Sequence, residues 1–194
     1  MRLNSLPWKV VTATLFGTAL VFSQADERAV AAVGSFSARK GVGGTVLQAG
    51  YYFSLEADQI YEMGGDVQYR ELKTTVFDVP HVRVTVLSIP GTISLKLRKP
   101  PFVPYVGAGV VLGIASFDKA FVESRRPGLT IQNTSVNSFG AFLAGGLRIE
   151  LESAMLFFAE CRYGWDSFAT DLNGMRQSVD LGGAWILGGI GLRF

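Results

Sequence analysis

Two kinds of residue in this chain could do chemistry. One is the single histidine, His81, in FDVPHVRV, three residues after Asp78. A histidine near an acid, joined by a serine, activates a hydroxyl for acyl transfer. No His-x-Ser spacing occurs, because Val82 and Arg83 follow His81, so the histidine reads as a rim residue and catalysis is not expected. The other kind is a set of charges at even spacing: Glu62, Asp66 and Arg70, then Arg148 with Glu150 and Glu160 with Arg162, and Lys96 alone. Even spacing places side chains on one face of a β-strand. Interleaved signs on one face point to structural ion pairs in preference to a proton or ion path.

Other chemistry is poorly served. Cys161 and His81 cannot assemble a four-ligand zinc site, and no acidic loop has calcium spacing, so neither a metal nor a cofactor is expected. GAGVVLG at 107–113 nearly matches a dinucleotide fingerprint, but SFDKAFVESRRPG after it does not read as the helix that must hold the phosphate. The lone cysteine reads as a small apolar side chain.

The elements that must position these charges are read after a leader is set aside. Arg2 and Lys9 form a small basic region ahead of an apolar stretch too short to span a bilayer, and Ser23-Gln24-Ala25 supplies small residues for cleavage, so residues 1–25 are expected to be a secretory signal and 26–194 one mature domain. Of 18 basic and 16 acidic residues, the leader holds two basic ones, which leaves the mature chain formally neutral. A nucleic-acid partner is therefore not expected.

Apolar residues after the leader follow period two. FGAFLAGGLRIEL sets Phe139, Ala141, Leu143, Gly145, Leu147, Ile149 and Leu151 against Gly140, Phe142, Ala144, Gly146, Arg148 and Glu150. MLFFAECRYGW repeats the arrangement, with Glu160 and Arg162 on the polar face. Eight such strands are predicted, near residues 29–38, 45–55, 59–73, 82–98, 102–114, 137–151, 155–166 and 178–194. Alternation becomes uncertain near Val179 and Leu181, where a bulge would re-aim the last strand. Short links (Glu56-Ala57-Asp58, Lys99-Pro100-Pro101, Glu152-Ser153-Ala154) alternate with mostly longer ones, chiefly 115–136 and 167–177. That is the pattern of an all-β, eight-stranded, antiparallel up-and-down transmembrane β-barrel with tight turns on the side of its termini.

Eight strands leave an interior just wide enough for side chains to fill. The charged face should therefore line a plugged lumen, with Arg148 and Glu160 opposite or one step apart and in salt-bridge range. This counts against a general porin, which needs about 16 strands, and a narrow conductance is the weaker alternative. A soluble, lipocalin-like barrel would need apolar residues inside and polar ones outside, the reverse of this pattern.

KPPFVPYVGAGVVLG, LSIPGTISLKL, FLAGGLRIEL, FFAECRYGW and the closing GGIGLRF resemble, in order and spacing, segments of the outer-membrane-protein β-barrel family, the OmpA/OmpX-like barrels of Gram-negative bacteria. The resemblance implies a monomer in the bacterial outer membrane, in contact with outer-membrane lipid and lipopolysaccharide. It also implies that Ile190, Leu192 and Phe194, on one face of the last strand, are read by the barrel-assembly machinery. No peptidoglycan-binding segment follows the barrel, so no cell-wall tether is expected. A structural or surface-interaction role through the loops is the expected function, with Arg39, Lys40, Arg125 and Arg126 as candidate contacts to anionic groups. Some barrels of this size modify lipid A with a histidine, and His81 is the residue on which that alternative rests.

Overall fold

The computed structural model describes residues 27–55, 60–97, 100–128, 131, 134–151, 154–172 and 175–194. The expected leader and the expected turn residues Glu56, Ala57, Asp58, Lys99, Glu152 and Ser153 lie outside the described residues. The strands are β1 (Glu27–Ala38), β2 (Gly41–Val42), β3 (Gly44–Ser54), β4 (Tyr61–Val76), β5 (Val79–Lys96), β6 (Phe102–Phe117), β7 (Ser135–Glu150), β8 (Met155–Leu172), β9 (Met175–Asp180) and β10 (Gly183–Arg193). A helix, α1 (Lys119–Arg125), follows β6. β2 continues into β3, and β9 into β10, so the wall has eight staves, each antiparallel to its chain neighbours, with β10 closing on β1.

Closure carries a stagger. From Arg28 the pairing passes through Tyr52, Gly64, Thr92, Gly109, Phe142, Gly164 and Gly183 and returns to β1 at Ala38, ten residues further along. Such a stagger over eight staves tilts the strands by about 40°. Ten residues of strand then climb about 25 Å, the height of the apolar band that a membrane barrel shows to lipid. The outward side chains supply that band: Phe102, Val106, Val110 and Ile114 on β6, Phe139, Leu143 and Leu147 on β7, Met155, Phe157, Tyr163 and Trp165 on β8. Beyond it, away from the termini, the outer face turns polar at Glu71, Lys73, Arg83, Ser116 and Asn137.

The middle of the band is a ring of small residues. Ala31 pairs with Ala49, Gly65 with Gly91, and Gly145 with Cys161. Ala108 and Gly188 complete the ring at the two-residue offsets that the tilt requires. A Cβ on Gly65, Gly91, Gly145 or Gly188 would come no closer than 3.6 Å to another atom. These glycines are not demanded by packing. Inward glycines are: a Cβ on Gly164 would lie 2.1 Å from the Trp185 ring.

The strands run further than expected on the side away from the termini. Residues 74–81, expected as a link, are a hairpin whose turn is Phe77-Asp78, both left-handed at φ 51° and 59°. Left-handed values at both central residues make the turn type I′, whose twist suits paired strands. Phe77 accepts the strained backbone because its ring is buried among Val76, Val79 and Phe117. Similarly, β6 continues to Phe117, β8 runs to Leu172 and β9 starts at Met175, so most of the expected loop at 167–177 is strand. The segment after GAGVVLG, not expected to be helical, contains α1, capped by Asp118, whose carboxylate accepts from the Phe121 N–H at 3.0 Å.

The expected irregularity at Val179 and Leu181 is absent. Ser167 opposite Asp180 and Gly164 opposite Gly183 belong to one register, Leu181 N–H donates to the Asp166 carbonyl at 2.8 Å, and both Val179 and Leu181 point inward. A bulge lies instead beside the Phe77-Asp78 turn, between Thr74 and Val76, where β5 fits Pro80 and His81 opposite the lone Thr75. His81 takes a left-handed φ of 62° there.

Interior polarity also differs from the expected ionic centre. Ion pairs fill the half nearer the termini and reach just past it at Arg70–Asp166. The other half, continuing beyond the lipid band, is apolar: Leu72, Val76, Val79, Val82, Val84, Val86, Phe117, Phe168, Val179 and Leu181 form one cluster, covered by Phe77, Val122 and Ile131. Outside the membrane the wall meets water, so the ordinary globular rule returns there, with apolar residues inside and charges outside.

Candidate functional site

Alternation along five of the staves brings ten charged side chains into the lumen: Arg28, Arg70, Lys96, Arg148 and Arg162 against Glu62, Asp66, Glu150, Glu160 and Asp166. They stack as three clusters along the axis. Nearest the termini, Glu62 is the hub. It pairs with Arg28, with Lys96 Nζ at 2.9 Å and with Arg148 Nη2 at 3.1 Å, and its side chain is only 3% exposed. Arg148 also reaches Glu150, which Arg193 holds from the rim at 3.1 Å.

The second cluster joins Arg162 to Asp66 at 3.1 Å and to Glu160. Tyr52 and Tyr105 donate hydroxyl protons to Asp66 (2.6 Å) and Glu160 (2.8 Å). Between these clusters lies a cavity of about 20 Å³ lined by Arg28, Tyr52, Thr92, Tyr105, Arg148 and Glu160, which is room for about one water. The third cluster is the Arg70–Asp166 pair, with the guanidinium 5.0 Å from the Trp185 ring and 5.4 Å from that of Phe36. Arg70 Nε and Nη1, Asp166 Oδ1 and Trp185 Nε1 are buried without hydrogen-bond partners.

All eight charges expected to face the lumen do so. Their partners differ in one respect. Arg148 lies opposite Phe158 and Glu160 opposite Gly146, one inward step apart, but Arg148 bonds Glu62 and Glu150 while Glu160 is taken by Arg162 and Tyr105. Each arginine pairs with a neighbour two residues away on its own strand, Glu150 or Glu160, and its reach across a narrow lumen adds a cross-barrel partner, Glu62 or Asp66. Sequence reading missed Arg28, Tyr52, Tyr105 and Asp166. Period two carried back from Val30 on β1 and forward from Arg162 on β8 contains the signal for Arg28 and Asp166.

At the end away from the termini the candidate loop contacts are locally engaged. Arg39 pairs with Asp180 at 3.5 Å, donates to the Gly164 carbonyl and lies over the Tyr163 ring. Lys40 is exposed, and its carbonyl accepts from Thr74. Arg125 lies over Phe121, and Arg126 pairs with Asp78 at 3.0 Å. Arg83 bonds Glu71 at 2.7 Å just above the lipid band, where that hydrogen bond, then the Glu71 charge, raises the guanidinium pKa further. His81 shares an open concavity with Asp78, Val79, Pro80, Phe121, Arg125 and Arg126. No serine is among the described residues lining it, and Asp78 is turned to Arg126 rather than held for the imidazole.

No protein-family model matches the chain, and no curated protein does. Solved structures do. OprG from Pseudomonas aeruginosa superimposes with a TM-score of 0.67 at 12% identity, over 88% of this chain and 96% of that one. Neisserial surface protein A gives 0.57 at 17% identity, over 88% and 97%. Ail of Yersinia pestis, solved in complex with the heparin analogue sucrose octasulfate, gives 0.51 at 14% identity, over 88% and 99%. At these identities the likeness is one of fold: this chain has the fold of the eight-stranded bacterial outer-membrane barrels.

Proposed function

We propose that the chain is an integral outer-membrane barrel whose role is structural or surface-interacting, with its interior plugged at membrane level by ion pairs and its contacts made at the end away from the termini. The reading rests on one observation: over the same stretch of strand, outward residues such as Leu143 and Phe157 are 55% and 43% exposed while Arg148 and Arg162 beside them are 2% and 3% exposed. Only a surrounding apolar solvent makes that arrangement favourable, since in water those outward side chains would be a large uncovered patch. The leader at residues 1–25 would direct export. Ile190 and Leu192, outward on β10, and Phe194 just after it would serve the barrel-assembly machinery.

The partners that fit are outer-membrane lipid around the band and lipopolysaccharide at the polar rim, where Arg39, Lys40, Arg125 and Arg126 present cations. That Ail, a barrel of the same fold, was solved with the heparin analogue sucrose octasulfate is in keeping with an anionic saccharide as the partner class. Cell fractionation with heat-modifiable gel migration tests location and closure: the protein should enter the outer-membrane fraction and shift on boiling. Planar-bilayer recordings should show no steady conductance. Recovery in the periplasm without a shift would overturn the membrane reading, and a steady conductance the plug.

A further inference from the structure

The barrel wall is uneven at the end away from the termini. β4 and β8 climb to Val76 and Leu172, whereas β1 stops at Ala38 and the chain turns back at Arg39-Lys40. The low stave leaves a notch of about 590 Å³, lined by Arg39, Lys40, Thr74, Thr75, Trp165, Asp166, Ser167, Ser178, Val179 and Asp180. Its lining mixes outward residues (Thr75, Trp165, Ser167) with inward ones (Thr74, Asp166, Val179), so the notch passes through the thickness of the wall. It opens sideways beside Trp165, the last aromatic of the lipid band on β8.

We propose that this notch is a binding site for an acidic saccharide, the sugar-phosphate portion of neighbouring lipopolysaccharide. This rests on the surface-interaction reading above and names the site and ligand class. Three features set the chemistry. Asp166 is 3% exposed, lines the notch and has a buried Oδ1 without a partner, which would accept from a hydroxyl donor seated there; its other oxygen is already held by Arg70. A neutral hydroxyl suits that oxygen better than an ammonium, which Arg70 beside it would repel. At the outer rim Lys40 supplies a cation, and Arg39 is fixed in place by Asp180, the Gly164 carbonyl and Tyr163. Counting Arg70 behind the wall, three cations face two carboxylates, which leaves one positive charge for an anionic substituent. Hydroxyl donors beside a single negative group describe a phosphorylated sugar, and the volume falls in the range of small-ligand sites.

The test uses the full mature protein in nanodiscs and titrates glucose 1-phosphate calorimetrically, with glucose and inorganic phosphate as separate probes. Saturable binding of glucose 1-phosphate is expected, at least tenfold tighter than either fragment and displaced by purified lipopolysaccharide. Lys40→Glu should weaken it at least tenfold, and Asp166→Asn should remove the advantage of the sugar phosphate over phosphate. Should Asp166→Asn fail to give a heat-modifiable barrel, Ser178→Trp, which fills the notch from its exposed rim, takes its place and should abolish binding. Absence of saturable binding, indifference to every variant, or failure of lipopolysaccharide to displace the probe would overturn the proposal. If lipopolysaccharide still associates with the barrel but ignores these variants, the notch falls and the surface role survives; if it does not associate at all, the surface role falls too.

Discussion

Glu62→Gln probes the lumen most directly. The substitution keeps side-chain volume and removes one charge, leaving Arg28, Lys96 and Arg148 around a neutral amide in a site where the side chain is 3% exposed. Breaking a buried pair by removing one partner costs about 3–5 kcal/mol, because the remaining charge is left desolvated. Three cations share the loss here, so the upper part of that range, about 5 kcal/mol, is expected. Urea unfolding of the barrel in lipid vesicles, followed by heat-modifiable migration, measures it. Glu71→Gln is the internal control: the Glu71–Arg83 pair has side-chain exposures of 34% and 62%, and water screens such pairs so that they contribute little. Adding Lys96→Met to Glu62→Gln should recover part of the loss, since one stranded cation is withdrawn. If Glu62→Gln costs no more than Glu71→Gln, the lumen is wet enough to screen its charges and the account of a desolvated ionic core fails.

Three further outcomes are expected. Gly164→Ala should destabilise the barrel by about 1–3 kcal/mol, because its Cβ meets the Trp185 ring at 2.1 Å, whereas Gly188→Ala, with nothing within 4 Å, should be neutral or slightly stabilising; vesicle unfolding compares them. Cys161, outward in the middle of the lipid band, should resist a charged maleimide in vesicles yet react with a membrane-permeant one; equal labelling by both would place that face in water. Phe77→Ala should cost about 3–5 kcal/mol of local stability at the apolar end, seen as faster tryptic cleavage after Arg125 while the heat-modifiable shift persists.

The number of staves, their faces and the inward charges were legible from residues 27–194 because period two is a local property: each side chain's face follows from its neighbour's. FGAFLAGGLRIEL announces Leu143 outward and Arg148 inward without knowledge of any other strand. Partners were not legible. Arg148 meets Glu62, 86 positions away, only because closure with a ten-residue stagger sets those two staves at one height across the lumen, and no local pattern carries that offset. Residues 74–81 and 167–177 misled for a related reason. Their polar and turn-forming residues read as loop, but paired strands rising above the membrane can face water outside while burying Val79, Val82 and Val179 against one another. Sequence alone thus determined which way each side chain points. The closed tertiary structure decided which charges meet, where the apolar half begins and that a notch opens beside Asp166, because those depend on stave heights that are set only when β10 joins β1.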